Sequence, residues 1–139
     1  MTGPENLRVY GLLLRDHKVL ISSERVAGRN ILKFPGGAVE PGETPEEALV
    51  REFNEECQLL VRPIKLVNAP GTLFSPWTFT YYTPLYYEVR ANGEPESPEH
   101  EPIEIAFRSP ERTIGSGRMA LPEIVALRRV LSRLANNIK

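Results

Sequence analysis

The most restrictive stretch of this 139-residue chain is Thr44-Pro45-Glu46-Glu47 and the ten residues that follow. Thr44 suits a helix N-cap, Pro45 the first helical position and Glu47 the return acid of a capping box, so a helix over residues 45–57 is predicted. At about 100° per residue its side chains separate into sectors. Leu49, Val50, Phe53 and Cys57 form an apolar stripe, and Glu52, Glu55 and Glu56 fill a neighbouring arc with small Ala48 one turn before it. Glu47, Arg51, Asn54 and Gln58 make the remaining, solvated face.

Three glutamates on one arc repel one another, at about 0.2–0.5 kcal/mol per helical pair. Either water screens them or a cation offsets them. Cys57 is the only cysteine and His17 and His100 the only histidines, so a thiolate or imidazole metal centre is excluded and any metal must be bound by oxygen. A hard divalent ion prefers such ligands, and Pro35-Gly36-Gly37, just before the helix, is expected to present exposed backbone carbonyls. Glu43 and Arg51 read either as a salt bridge from loop to helix or as simple screening of the acids. Cys57, on the core stripe, is expected to be inert.

The spacing also matches a known motif. From Gly37 the chain runs five residues to Glu43, seven more to Arg51-Glu52-Phe53-Asn54-Glu55-Glu56, then one to Gln58-Leu59. This closely resembles the Nudix box, and six fixed identities at average usage recur by chance about once in ten million starts, so coincidence is set aside. Gln58 stands where the box has Gly, a position read as a left-handed helix cap at which a non-Gly residue costs roughly 1 kcal/mol.

The resemblance implies a hydrolase that splits a pyrophosphate bond in a nucleoside diphosphate linked to a further group. It assigns Glu52, Glu55, Glu56 and the Gly37 carbonyl to one or more Mg2+ ions, with Mn2+ as a substitute, and gives Glu43 and Arg51 structural roles. Glu52, Glu55 and Glu56 are thereby the catalytic acids, with Glu52 or Glu55 serving as base. An extra base or ligand is sought among Glu99, Glu101 and Glu104, in the acid-rich loop before the last helix. Arg25, Arg29 and Lys33 flank the glycine turn and are candidates for binding substrate phosphates. A nucleoside triphosphate, a nucleotide sugar, ADP-ribose and a dinucleoside polyphosphate all remain open as substrates. A nucleotide-binding or regulatory module without turnover is the competing function, and its usual sign, erosion of the acids, is absent.

Elsewhere, apolar alternation predicts a hairpin over residues 7–23 with a turn at Arg15-Asp16-His17-Lys18, strands over 31–34, 59–68 and 76–90 (broken near Pro84), an edge strand over 103–108 and a helix from Leu121 to Ala135. In that helix Ile124, Leu127, Val130, Leu131 and Leu134 make the apolar stripe. Strands around two separated helices give a mixed sheet covered on both faces. The resemblance makes this an α/β/α sandwich of the α+β type, one domain over residues 1–139. Seven aromatics between Phe74 and Tyr87 either stack on a base or serve a core or dimer interface.

The net charge of −1 conceals segregation. Residues 40–56 hold seven glutamates against Arg51 alone, residues 88–111 seven against two arginines, and residues 112–139 carry six cations against only Glu123. Without a basic surplus, long nucleic acids are disfavoured as partners. A small polyanion is admitted once the acidic arc holds cations. No apolar run reaches the ~20 residues needed to span a bilayer, and the N-terminus lacks signal-peptide regions, so a cytoplasmic protein without membrane partners, monomeric or homodimeric, is expected.

Overall fold

A computed structural model describes residues 4–137; Lys139 and the ends of the single-domain expectation lie outside the described residues. The elements are β1 (Leu7–Arg15), β2 (Lys18–Val26), β3 (Arg29–Lys33), β4 (Gly36–Ala38), α1 (Pro45–Cys57), β5 (Arg62–Asn68), β6 (Leu73–Ser75), β7 (Thr80–Arg90), β8 (Glu104–Arg108), α2 (Pro110–Gly115) and α3 (Leu121–Asn137). The hairpin turn forms as predicted, with Asp16 and His17 at φ 51° and 63°, the left-handed pair that matches strand twist.

The sheet is mixed. Its order is β3-β2-β1-β7-β5, with β4 on β1, β6 on β7 and β8 on β2. β1 and β7 run parallel from Leu7↔Thr83 to Leu13↔Val89, and all other pairings are antiparallel. β8 pairs with β2 alone, at an edge as expected.

Side-chain alternation along the central strands builds a core on each face. Val9, Leu13, Leu20 and Val89 pack beneath Ala48, Leu49, Phe53 and Cys57 of α1. Tyr10, Leu12, Ile21 and Tyr86 pack beneath Ala126, Leu127 and Val130 of α3. Helices thus cover both faces, and none is long and apolar enough to cross a membrane.

Several boundaries differ from expectation for local reasons. Pro84 does not break β7, because β6 pairs with residues 80–82 and β5 with residues 86–90, so its missing amide proton falls in the gap between them. The strand predicted from residue 59 begins at Arg62, and the one from 76 resolves into the β6–β7 hairpin. α2 was not predicted: Ser109 caps it and Pro110 starts it, but six residues are too few to show a helical period. Ala48 is fully buried with the core stripe instead of standing open in the acidic arc.

Candidate active site

α1 starts as its sequence dictates. The Thr44 hydroxyl accepts from the Glu47 amide at 3.1 Å and the Glu47 carboxylate accepts from the Thr44 amide at 2.8 Å. At the other end Gln58 adopts φ 55°, ψ 36°, the left-handed cap inferred from the missing glycine.

Arg51 is half-buried, not on an open face, and joins both roles left open for it. Its Nε and Nη2 donate to the two carboxylate oxygens of Glu43 at 2.7 and 2.9 Å, and Nη2 also donates to the Ala38 carbonyl at 3.0 Å. Nη1 turns to the acidic arc, reaching Glu52 at 3.0 Å and Glu55 at 3.3 Å. This pairing with Arg51, reinforced by the Glu40 amide, holds the Glu43 carboxyl down at about 2.

β4 sits under this helix. Gly36 and Gly37 are both buried, correcting the expected exposed turn, because they pair with Tyr10 and Val9 of β1. A Cβ at Gly36, whose φ is 155°, would strike the Val9 carbonyl oxygen at 2.0 Å, and one at Gly37 would lie 2.6 Å from the Glu52 carboxyl carbon. Burial raises the Glu52 carboxyl despite Arg51. Glu55 is exposed. Burial raises Glu56 further, to about 7, against the opposing pull of Lys33. Neither Glu56 Oε1 nor Ser22 Oγ has a hydrogen-bond partner.

Among the described residues no three acids converge into a ready-made metal cluster, since Arg51 engages two of the three on the arc. The donor set nevertheless suits a hard divalent cation: oxygen ligands only, an orphaned oxygen on Glu56, and a glycine that lets Glu52 lie against the backbone.

Beside the acids a cavity of about 370 Å³ opens between β1, β3, the β6–β7 hairpin and the start of α3. Arg8 and Lys33 line it and also act on Glu52 and Glu56 respectively. Lys33 pairs with Glu24, and Arg8 Nε donates to the Tyr10 hydroxyl at 2.7 Å. Trp77, Tyr82 and buried Glu123 complete the functional part of its wall. None of the three arc acids lines this cavity itself or a larger depression of about 840 Å³ beside Leu60 and Leu134, but only the smaller one carries the two cations that act on them.

The NUDIX domain model matches residues 4–130. The chain belongs to the NUDIX family. It is 32% identical over 97 residues to the 8-oxo-dGTP diphosphatase of Escherichia coli, covering 68% of this chain and 74% of that protein. It is 38% identical over 56 residues to the RNA pyrophosphohydrolase of Acinetobacter baylyi, a match that spans 33% of that protein. The NUDIX hydrolase structure from Nitrosomonas europaea superposes with a TM-score of 0.78 at 21% identity over 94% of this chain and 90% of that one, a likeness of fold.

Within this NUDIX domain the other sequence candidates scatter. Of the three cationic candidates, Lys33 alone lines the cavity; Arg29 is exposed and stacks over the Trp77 ring at 5.5 Å, and Arg25 braces the Gly28 carbonyl at 2.8 Å. Glu99 is exposed beside His100, Glu101 lies on an open surface near Arg25, and Glu104 pairs with Arg108 at 3.2 Å. Their loop is separated from α3 by β8, to which Glu104 itself belongs, and by α2, so it does not directly precede the last helix as expected. Tyr86 and Tyr87 join the core, Phe74 and Tyr81 form an exposed edge-to-face pair, and Trp77 and Tyr82 line the cavity. Cys57 is buried and its thiol is pushed up by burial, as an inert residue requires.

Sequence reasoning missed Arg8, Ser22 and Glu123. Arg8 and Ser22 sit in strands with no motif around them, but Glu123 carries a signal, being the lone acid in a basic segment and one residue ahead of the predicted apolar stripe.

Proposed function

We propose that this chain is a single-domain, divalent-metal-dependent pyrophosphohydrolase of the cytoplasm, acting on a nucleoside diphosphate linked to a further group. The observation that carries the reading is Glu52 laid against Gly37, with the orphaned oxygen of Glu56 on the same helix and both acids within the field of Arg8 and Lys33, which line a cavity of about 370 Å³. The names of the relatives, a diphosphatase and a pyrophosphohydrolase, support the same reaction class.

Glu52, Glu55, Glu56 and the Gly37 carbonyl would hold Mg2+, with Mn2+ as a substitute. When bound, the ion supplies neutralisation of phosphate charge and a more acidic attacking water. Glu43 grips Arg51, and Arg51 in turn orients Glu52 and Glu55. Arg8 and Lys33 draw the anionic chain of the substrate toward the acids. A carboxylate of the arc takes the proton of the water that attacks phosphorus, and no covalent intermediate is required. A module that only binds nucleotide has no need for this set of acids.

The test is a panel of nucleoside triphosphates including 8-oxo-dGTP, nucleotide sugars, ADP-ribose and dinucleoside polyphosphates, assayed with and without Mg2+ and with products identified. Turnover of at least one member, lost in Glu56→Gln and Glu55→Gln variants that fold normally, is the expected result. Full turnover in those variants, or none in the wild type across the panel, refutes it.

A further inference from the structure

The register of β2 and β3 sorts their side chains onto two faces. The pairs Ser22↔Lys33, Glu24↔Ile31 and Val26↔Arg29 share one face, and Glu24, Val26, Ile31 and Lys33 line the cavity beside the arc acids. Ser23↔Leu32 and Arg25↔Asn30 share the other. There Ser23, Asn30 and Leu32 line a separate depression of about 670 Å³ between the sheet and α2. The depression and the cavity have no lining residue in common.

Four cations reach this depression from separate elements: Lys18 at the start of β2, Arg108 at the end of β8, Arg112 in α2 and Arg118 between α2 and α3. Glu104 is the only acid on its wall, and Arg108 Nη2 already donates to it at 3.2 Å. Glu111, next to Arg112, accepts instead from the Ser109 hydroxyl at 3.2 Å and does not line the depression. The side chains of Lys18, Arg112 and Arg118 are exposed and make no hydrogen bond or ion pair among the described residues. Their main chains, by contrast, are fixed: the Arg112 and Arg118 amides donate to the Ser109 and Ser116 hydroxyls, and the Arg118 carbonyl accepts from the Leu32 amide at 3.1 Å.

Cations drawn together with one paired acid among them repel one another, and an anion with several charged oxygens offsets that where a single-charged ion answers only one of them. Guanidinium forks suit such oxygens because each binds two at once. Ser23 and Asn30 add donors whose side chains have no other hydrogen bond among the described residues. We propose that this face is a second anion site, across the sheet from the catalytic cavity, that binds the diphosphate group of a ligand through Lys18, Arg108, Arg112 and Arg118. Inorganic pyrophosphate and the diphosphate of a nucleotide both present that group. The inference goes beyond the hydrolase reading and does not depend on it.

The test is heteronuclear NMR of the full, isotope-labelled chain titrated with inorganic pyrophosphate and, separately, with ADP, in EDTA and 150 mM NaCl. Without metal the arc acids repel both ligands, and at this salt screening sets in over about 8 Å, so only groups that close on the ligand hold it. Saturable shifts at Ser23 and the amides of residues 108–118 are expected, with a Kd below about 1 mM for at least one of the two. Response to both assigns the diphosphate group wherever it occurs, and response to one alone assigns its source. The double variant Arg112→Glu, Arg118→Glu is expected to bind at least about tenfold more weakly, and the corresponding double lysine variant, which keeps the charge, within about fivefold of the wild type.

No saturation by 10 mM of either ligand, shifts reproduced by NaCl at equal ionic strength, or shifts at Arg8 and Lys33 in place of residues 108–118 overturns the proposal. So does undiminished binding by the folded double glutamate variant. Should that variant fail to fold, Lys18→Glu reverses a charge on another element, and its failure to weaken binding overturns the proposal equally. An RNA oligonucleotide without terminal phosphates that shifts these amides while neither diphosphate does so also overturns it, and makes this face a nucleic-acid surface. Turnover in the substrate panel without binding here leaves the hydrolase reading intact and removes this one; binding here without turnover does the reverse.

Discussion

The Glu52 carboxylate fills the space that a side chain on residue 37 would occupy, with both its oxygens 2.7 Å from the position of a Cβ there. The clash is with the far end of a flexible side chain, so the carboxylate would have to move. A Gly37→Ala variant is therefore expected to fold, since its backbone is not in the left-handed region, yet to lose on the order of a hundredfold in kcat as Glu52 swings away. Steady-state kinetics beside urea unfolding checks it; a Gly37→Ala enzyme with near-normal kcat shows that Glu52 need not lie there.

Arg51 holds Glu43 with a planar fork and the arc acids with its remaining nitrogen. Lysine would keep the charge but can occupy only one of these places at a time. Arg51→Lys is expected to lower kcat/KM at least about tenfold and to weaken Mg2+ binding measured by calorimetry, because Glu52 and Glu55 lose their orientation. Glu43→Gln should act in the same direction through Arg51, and the two losses should fall short of additive in the double variant.

What could be read from the chain alone was local. The capping box, the bounds of α1, the left-handed Gln58 and the Asp16-His17 turn each depend on residues within a few positions of one another, and each formed as expected. Burial of Gly36 and Gly37 depends on β1, about 27 residues earlier, and the continuity of β7 through Pro84 depends on where β5 and β6 end. Glu123 was visible as an odd charge in a basic segment, but its burial required β1, β3 and β7 to enclose it. The arc acids were legible because their spacing is itself the signal, whereas Arg8 enters the site only through the sheet.

Two carboxyls of the metal-free protein titrate above the ordinary carboxylate range, Glu56 at about 7 and Glu123 at about 8, both through burial. An unfolded chain binds these protons only below about pH 4.3. The folded state therefore holds more protons between pH 4.3 and 8, and the stability they contribute is complete below that window and lost as pH rises through 7 and 8. Glu43, held at about 2, acts oppositely, and its contribution is lost as pH falls toward 2. The metal-free protein is expected to be most stable near pH 5 and to melt roughly 5 °C or more lower at pH 8.5. Glu123→Gln should flatten the alkaline limb; scanning calorimetry showing an unchanged slope would remove Glu123 as its cause.

Gln58 holds a left-handed backbone at φ 55° while its side chain is exposed, and its amide still donates to the Asn54 carbonyl at 3.1 Å. The cap's hydrogen bonds are thus made by the main chain, and what a non-glycine residue adds is steric strain of about 1 kcal/mol. Gln58→Gly relieves the strain but loosens the unfolded chain, which offsets part of the gain. A net stabilisation of about 0.5 kcal/mol is expected, with kcat unchanged because Gln58 contacts none of the arc acids among the described hydrogen bonds and ion pairs. Gln58→Ala separates the causes: alanine keeps the left-handed strain and should give no gain. Equal stabilisation by alanine and glycine in urea unfolding would place the effect in the glutamine side chain and not in the backbone.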